Sequence, residues 1–373
     1  MPDWSKLLHD HRPLLVYDSR ETYFADAASS LVGNAFDAGP GAPYRTRLLR
    51  RRQELWDVGG DAGLTLDSLS DRYSERLEAH EDDYLDPGPE PAADARRLHQ
   101  SEHHANVIYG RVTPRKDGGR WLQYWFFYFL SAKGIPGIRS ATGPLGFGLH
   151  EGDWEMIQIA VPEDGGTPIT ATYAAHDHGH SIVWDEVEIE SGTNAPIVYV
   201  ALNSHASYPR EGRWRGKKLL GVVGLNVLDD WCDAGGMRVR PALQEVDEEA
   251  TPWLRWPGRW GSTDDGIRTK SPRGPACQDK WKRPDHMHEN ATQWRERWAG
   301  RARDLESMTT VEAAPPIPVT IARDGGHVTV SFDIPPGLED EWAGQLTLAV
   351  NSAQGPPAAR VYDITVPGVQ GPG

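Results

Sequence analysis

Residues 121–130 read WLQYWFFYFL, a run that stays apolar on both of its alternating faces. Side chains of a strand point to opposite sides in turn, so such a run belongs in the middle of a sheet that is covered on both sides. Upstream, Ala105 to Val112 reads as a partner strand across the turn Lys116–Asp117–Gly118–Gly119. Downstream follow Trp154 to Val161, Ile169 to Ala175, Ile182 to Ile189 and Pro196 to Leu202, bounded by Gly, Pro or Asp. Short strands at this spacing predict a mainly β fold: a β-sandwich core with long loops and a few helices.

Composition agrees. The 373 residues include Gly 39, Pro 29 and Trp 15, which suits turns and aromatic-lined loops rather than a helix bundle. Near the N-terminus, Pro13 to Tyr17 is a short apolar stretch and Gly33 to Pro43 a loop, while the basic segment Arg45 to Trp56 is expected to be helical. Leu66, Leu69, Tyr73 and Leu77 recur at helical spacing after the cap residue Thr65, which predicts an amphipathic helix. The acidic, Pro-rich stretch Glu81 to Ala93 reads as a surface linker, and Lys217 to Trp260 as loops over the core. A second helix is expected from near Pro284, with Trp294, Trp298 and Leu305 on one face. After Ala313 to Pro318, strands at Val319 to Ile334 (around Asp324–Gly325–Gly326), Leu346 to Val350 and Ala359 to Val366 predict a small β module. The expected division is a main domain over 1–308, which carries the site described next, and an accessory module over 309–373.

Lys plus Arg number 39 against 54 Asp plus Glu, a formal net charge of −15 that argues against a general nucleic-acid binder. No apolar run approaches the roughly 20 residues of a transmembrane helix. Asp3, Lys6 and Asp10 interrupt any secretory pattern, so the chain as given is expected in the cytoplasm, with export by a non-classical route left open. Cys232 and Cys277 are too few for a disulfide framework or a thiolate metal site.

The segment that carries chemistry is His150–Glu151–Gly152–Asp153–Trp154–Glu155. In a strand, Asp153 and Glu155 share a face that continues through Ile157, Ile159 and Val161, so that face points inward. Two carboxylates at the mouth of a buried face need a cation or hydrogen-bond donors. His150 enters from the preceding loop, and imidazole with two carboxylates suits a divalent metal: calcium, magnesium or manganese ahead of zinc. The plainer reading has Asp153 capping a turn and Glu155 pairing with an arginine. His176–Asp177–His178–Gly179–His180 and Asn203–Ser204–His205–Ala206–Ser207–Tyr208–Pro209 end two further strands and bring more polar side chains to one rim. His176 is the residue of its cluster nearest the strand. His205 reads either as a site residue or as a core histidine. Arg210 begins a basic run through Arg213, Arg215, Lys217 and Lys218, suited to holding an anion.

Together, 121–130, 150–155, 173–176 and 199–209 (YVALNSHASYP) resemble the vacuolar protein sorting 62 family over about residues 12–285, with Tyr17–Asp18–Ser19, Trp260–Gly261, 271–275 and Trp281 in the same pattern. A more distant similarity is to the necrosis- and ethylene-inducing-peptide-like proteins, through His150, Asp153, Trp154 and Glu155, then Ala175–His176, then Ser204–His205–Ala206. That resemblance implies a β-sandwich with an acidic cavity, and a divalent cation that engages sphingolipid sugar head groups. It implies His150, Asp153 and Glu155 as metal ligands, with Trp154 structural. The pattern departs at Leu149 and Gly152, where the heptapeptide has glycine and histidine, and no acid stands in Ser140 to Gly148.

Three functions are expected from these residues. The first is a metal-dependent binding or effector protein that takes a lipid or glycan head group, or a small anionic ligand, with Arg210, Tyr208 and Trp154 as ligand contacts. The second is a metal-dependent hydrolase or lyase on a phosphoester or glycosidic substrate, with Glu155 or His176 as general base and His205 as acid or orienter. The third is a non-catalytic structural or trafficking module, in which the same residues form a hydrogen-bonded network.

Overall fold

The computed structural model describes residues 2–32, 46–55, 64–88, 91–100, 104–132, 139–140, 143–144, 149–176, 178–215, 229–261 and 270–300, and the backbone of 319–324, 327–332, 347–350 and 358–361. The N-terminal half contains α1 (Trp4–Asp10), β1 (Leu14–Tyr17), β2 (Ala25–Asp26), β3 (Arg47–Arg50), β4 (Gln53–Glu54), β5 (Asp83–Asp86) and α2 (Pro91–Gln100), then β6 (Val107–Pro114), β7 (Arg120–Ala132), β8 (Arg139–Ser140), β9 (Gly143–Pro144) and β10 (Leu149–Val161). There follow β11 (Thr170–Ala175), β12 (His178–Val183), β13 (Ile197–Val200), β14 (Ser207–Tyr208), β15 (Gly212–Trp214), β16 (Asp230–Cys232), β17 (Arg238–Val239) and β18 (Ala242–Glu245). Next come α3 (Asp279–Lys282), α4 (Pro284–Glu289), β19 (Thr292–Gln293) and α5 (Trp294–Arg297), and finally β20 (Val319–Asp324), β21 (His327–Phe332), β22 (Thr347–Val350) and β23 (Ala358–Val361).

The fold is mainly β. The large sheet runs β18-β6-β7-β10-β11-β12-β19, with β2 also on β7, and a smaller sheet runs β14-β13-β1-β17. Strand β7 is buried from Trp121 to Ala132, which is why its sequence is apolar on both faces. One face, through Leu122, Tyr124, Phe126, Tyr128, Ile157 and Ile159, packs on β1 and β13 of the smaller sheet. The other face carries Trp125, Phe127, Trp154 and Met156 and is closed by the tryptophans 253, 256, 260 and 281 from later loops. The apolar stretch before Tyr17 is thus a strand, parallel to β13 with Leu14 opposite Ile197.

Several expected elements fold differently. Within the segment expected to be helical, Arg47 to Glu54 is a hairpin, β3–β4: Arg51 and Arg52 sit at φ 48° and 70°, the conformation a two-residue hairpin turn demands. The helix expected over Leu66 to Leu77 is a single 3-10 turn, Leu66–Ser68, closed by reciprocal Thr65–Ser68 bonds. Beyond it the Ser70 and Ser74 hydroxyls accept from the backbone N–H groups of Arg72, Arg76 and Leu77, and such local bonds compete with helix. The expected linker Glu81 to Ala93 contains β5 and the start of α2, with Pro91 at the first helical position. The strand expected over Ile182 to Ile189 ends at Val183. Within the region expected as loops, β18 runs parallel to β6 at the sheet edge.

The helix expected at Pro284 forms but stops at Glu289. There the Asn290 side-chain amide donates to the His286 carbonyl, and Thr292–Gln293 joins β12 as β19. Leu305, Gly33 to Pro43 and the boundary between 308 and 309 lie outside the described residues. The tail contains two hairpins, β20–β21 and β22–β23. Among the described residues no helix is long and apolar enough to cross a membrane.

Candidate functional site at the end of β10

His150, expected in the preceding loop, is already inside β10, and near the start of that strand stands a glycine whose place a side chain could not take without clash. Gly152 has φ +62°, and a Cβ there would lie 1.7 Å from the Trp260 carbonyl oxygen. Across the sheet, Asp153 is opposite Tyr128 and Glu155 opposite Phe126, so both carboxylates share the inner face with Ile157 and Ile159, as the alternation predicts.

The turn after β13 brings His205 over this pair. Its ring is fully buried, lies flat on Tyr128 and places Nδ1 3.2 Å from Asp153 Oδ2. Its Nε2 stands 3.9 Å from Glu21 Oε2 and has no hydrogen-bond partner. Glu21 holds the turn in place by accepting from the Asn203 N–H at 2.6 Å. At the end of β11, His176 is exposed and its Nε2 meets Asp230 Oδ2 at 2.8 Å. Buried Asp230 also accepts from the Ser204 and Tyr208 hydroxyls at 2.6 and 2.5 Å.

His176, Asn203 and His205 all adopt left-handed φ, between 56° and 62°. Such backbone costs roughly 1–3 kcal/mol per residue and concentrates where side chains must be aimed. His150 points its Nδ1 at the Glu151 carbonyl, 3.3 Å away, and its Nε2 lies 4.0 Å from Asp153 Oδ1. Glu155 Oε2 is buried with no hydrogen-bond partner, while Lys280 Nζ approaches to 3.8 Å.

The two carboxylates are electrostatically unlike. Burial works against the charge on Asp153, but the bond from His205 and the fields of His150, His205 and Lys280 outweigh it and hold that carboxyl below its ordinary range. Burial pushes Glu155 up to about 7; Lys280 opposes the rise and Asp153 adds to it. The site therefore pairs one firmly ionised carboxylate with one that holds its charge poorly. A divalent cation or a proton would relieve the second.

The structure brings together five of the predicted residues, His150, Asp153, Glu155, His176 and His205, around one end of the sandwich. Of the predicted ligand contacts it places Tyr208 in the same network, on the Asp230 oxygen that His176 meets, but Trp154 and Arg210 lie elsewhere. Trp154 is 2% exposed and packs on the opposite face against Phe127, Trp253 and Trp260. Arg210 is already engaged: it donates to the Pro209 and Glu186 carbonyls, pairs with Glu188 at 3.3 Å and lies over the Trp294 ring. Tyr208 is buried and spends its hydroxyl on Asp230. The expected arginine partner of Glu155 is a lysine, Lys280. Glu21, Asp230 and Lys280 escaped the sequence reading because each is an isolated residue brought in by tertiary packing.

The donor atoms of His150, Asp153 and Glu155 do not all lie within 4.8 Å of one another; among the described residues the trio that meets this spacing is Asp26, His99 and His104. The His150–Asp153 separation of 4.0 Å is nevertheless what two ligands at about 2.0–2.4 Å from a shared cation show. A cavity of about 580 Å³ opens elsewhere, between β6, α3 and α4, lined by Arg111, Lys116, Trp281 and Asp285 among others.

No curated protein matches the chain. Among solved structures, the crystal structure of Necrosis and Ethylene inducing Protein 2 from the causal agent of cocoa's Witches Broom disease is 11% identical, covers 77% of this chain and 91% of that one, and has a TM-score of 0.32. Residues 84–263 match the family model described as Vacuolar protein sorting-associated protein 62, a shorter span than the 12–285 over which the motifs resemble it. This stretch, which contains β7, β10 and the turn at His205, thus carries the sequence pattern of the vacuolar protein sorting-associated protein 62 family.

Proposed function

We propose that this chain is a divalent-cation-dependent binding protein whose cation, held by Asp153 and Glu155 with His150, bridges to a lipid or glycan head group at the rim of the sandwich. The observation that carries this reading is the buried Glu155 Oε2, which has no hydrogen-bond donor although it shares a face with a second carboxylate. Lys280 Nζ stays 3.8 Å from that oxygen, beyond hydrogen-bond reach, so the burial remains costly and a divalent cation in direct contact would satisfy it. Carboxylate and imidazole ligands suit calcium, magnesium or manganese. The engagement of Arg210 favours hydroxyl groups over phosphate as the groups the cation meets.

Flotation with vesicles bearing a glycosylated sphingolipid tests this, in calcium, magnesium or manganese and again in EDTA. The reading expects cation-dependent binding that Asp153→Ala removes. Equal binding in EDTA, or none with any ion, overturns it.

One observation favours a second reading, metal-dependent hydrolysis: exposed His176 is oriented by buried Asp230, the arrangement of a general base and its anchor. A bound cation would polarise the scissile group. His176 would accept a proton at its ring, Asp230 would hold the ring, and Glu155 would balance charge. His176→Gln that abolishes turnover on phosphoesters or glycosides with little change in affinity supports this reading over simple binding.

A further inference from the structure

A second cluster of ligating side chains lies on the other face of the large sheet. Asp26 of β2 stands opposite Phe127, which faces the tryptophan-lined core, whereas Asp153 stands opposite Tyr128 on the inner face. His99, near the end of α2, and His104, just before β6, converge on Asp26. The side chains of Asp26, His99 and His104 are 1%, 4% and 11% exposed.

An ion pair between His99 and Asp26 alone would still leave the buried His104 Nε2 without a hydrogen-bond partner. His99 Nδ1 faces the Thr22 carbonyl at 3.1 Å, and a carbonyl only accepts, so the ring hydrogen sits on Nδ1. Nε2 of a neutral ring then aims a lone pair at Asp26, 3.0 Å from both carboxylate oxygens. His104 Nε2 is 2.8 Å from Asp26 Oδ1 yet is not aligned for a hydrogen bond. The two rings are 4.6 Å apart, so protonating both would bury two like charges in contact. A single cation between the three groups satisfies every one of these atoms. An Nδ1–H donated to a backbone carbonyl is also the outer bond that metal-ligating histidines make.

We propose that Asp26, His99 and His104 bind one divalent first-row transition ion, zinc foremost, which ties β2, α2 and the segment entering β6 onto the large sheet. Two imidazoles and one carboxylate select such an ion over calcium or magnesium, which prefer oxygen ligands alone. The near-complete burial makes the role structural. The proposal stands apart from the site on β10, since the two share no residue.

The test is a cobalt(II) titration of the untagged full-length chain after EDTA treatment and dialysis, followed by visible d–d absorption and displacement with zinc. Wild type is expected to bind one cobalt at this cluster, besides any taken by the site on β10, with strong d–d bands that zinc removes. His104→Gln is expected to weaken binding roughly tenfold or more, and Asp153→Ala/Glu155→Ala to leave the bands intact. The fold of each variant is checked by circular dichroism. His104→Gln is the decisive variant because the His99 ring also bonds Thr22 and its loss disturbs α2 directly. No bound cobalt or zinc in wild type, wild-type affinity in His104→Gln, or bands lost only in the Asp153/Glu155 double variant would overturn the proposal.

Discussion

The imidazole of His205 lies parallel to the ring of Tyr128, with centroids 4.0 Å apart and planes 6° from coplanar. That stacking fixes the ring plane and so aims Nδ1 at Asp153, the residue opposite Tyr128 in the sheet. Orientation of the site is thus built into β7, the strand at the centre of the fold.

His205 serves both stability and the site. His205→Ala removes the stacked ring, leaves Asp153 without its imidazole and keeps a left-handed backbone without a residue that favours it, a cost of about 3 kcal/mol. Asn tolerates left-handed φ better, so His205→Asn is expected to cost about 1 kcal/mol less. Urea denaturation of the two variants beside wild type measures both differences.

Glu155→Gln is expected to stabilise the chain in EDTA, by roughly 1–2 kcal/mol at pH 8, because it replaces a buried, poorly satisfied carboxylate with a neutral amide. The same change is expected to weaken cation binding. Melting temperatures with and without added cation check both: wild type rises with the ion and the variant does not.

Gly152→Ala drives a Cβ into the Trp260 carbonyl and forces φ +62° on a residue that avoids it. A loss of about 3 kcal/mol or more is expected. Gly192, at φ +76° with no neighbour within 4 Å of an added Cβ, supplies the control. Gly192→Ala meets only the backbone cost of about 1–2 kcal/mol.

His180 predicts a window of acid lability. Burial lowers its pKa from 6.5 to about 3, with His178 and Arg297 adding to the fall. Between those values the unfolded chain binds the proton and the folded chain does not. Stability is therefore full above pH 6.5 and falls as pH drops toward 3, by at most about 1.4 kcal/mol per pH unit. Denaturation from pH 7 to 4 is expected to show a shallower loss in His180→Gln than in wild type.

What the sequence made legible is what periodicity can express. Strand β7 was readable because burial on both faces leaves a continuous apolar run, and the inward aim of Asp153 and Glu155 because their alternation continues through Ile157 and Ile159. The Arg50 to Arg52 run misled because its conformation depends on two left-handed residues and on Asp83, which the Arg50 guanidinium reaches across the sheet. Leu66, Leu69, Tyr73 and Leu77 have helical spacing but serine side chains that capture the backbone first. Asp230, Glu21 and Lys280 carry no local signal, and neither does the meeting of Asp26 with His99 and His104, since tertiary packing alone makes them neighbours.

The most direct test of the cation site on β10 is calorimetric titration of manganese into metal-stripped chain carrying Asp26→Asn and His104→Gln, which leave the second proposed site one ligand and take it out of the count. The same chain with Asp153→Ala and Glu155→Ala added is titrated in parallel. The account predicts one manganese bound per chain in the first and none in the second. Equal binding by both, or no binding by the first, would contradict it.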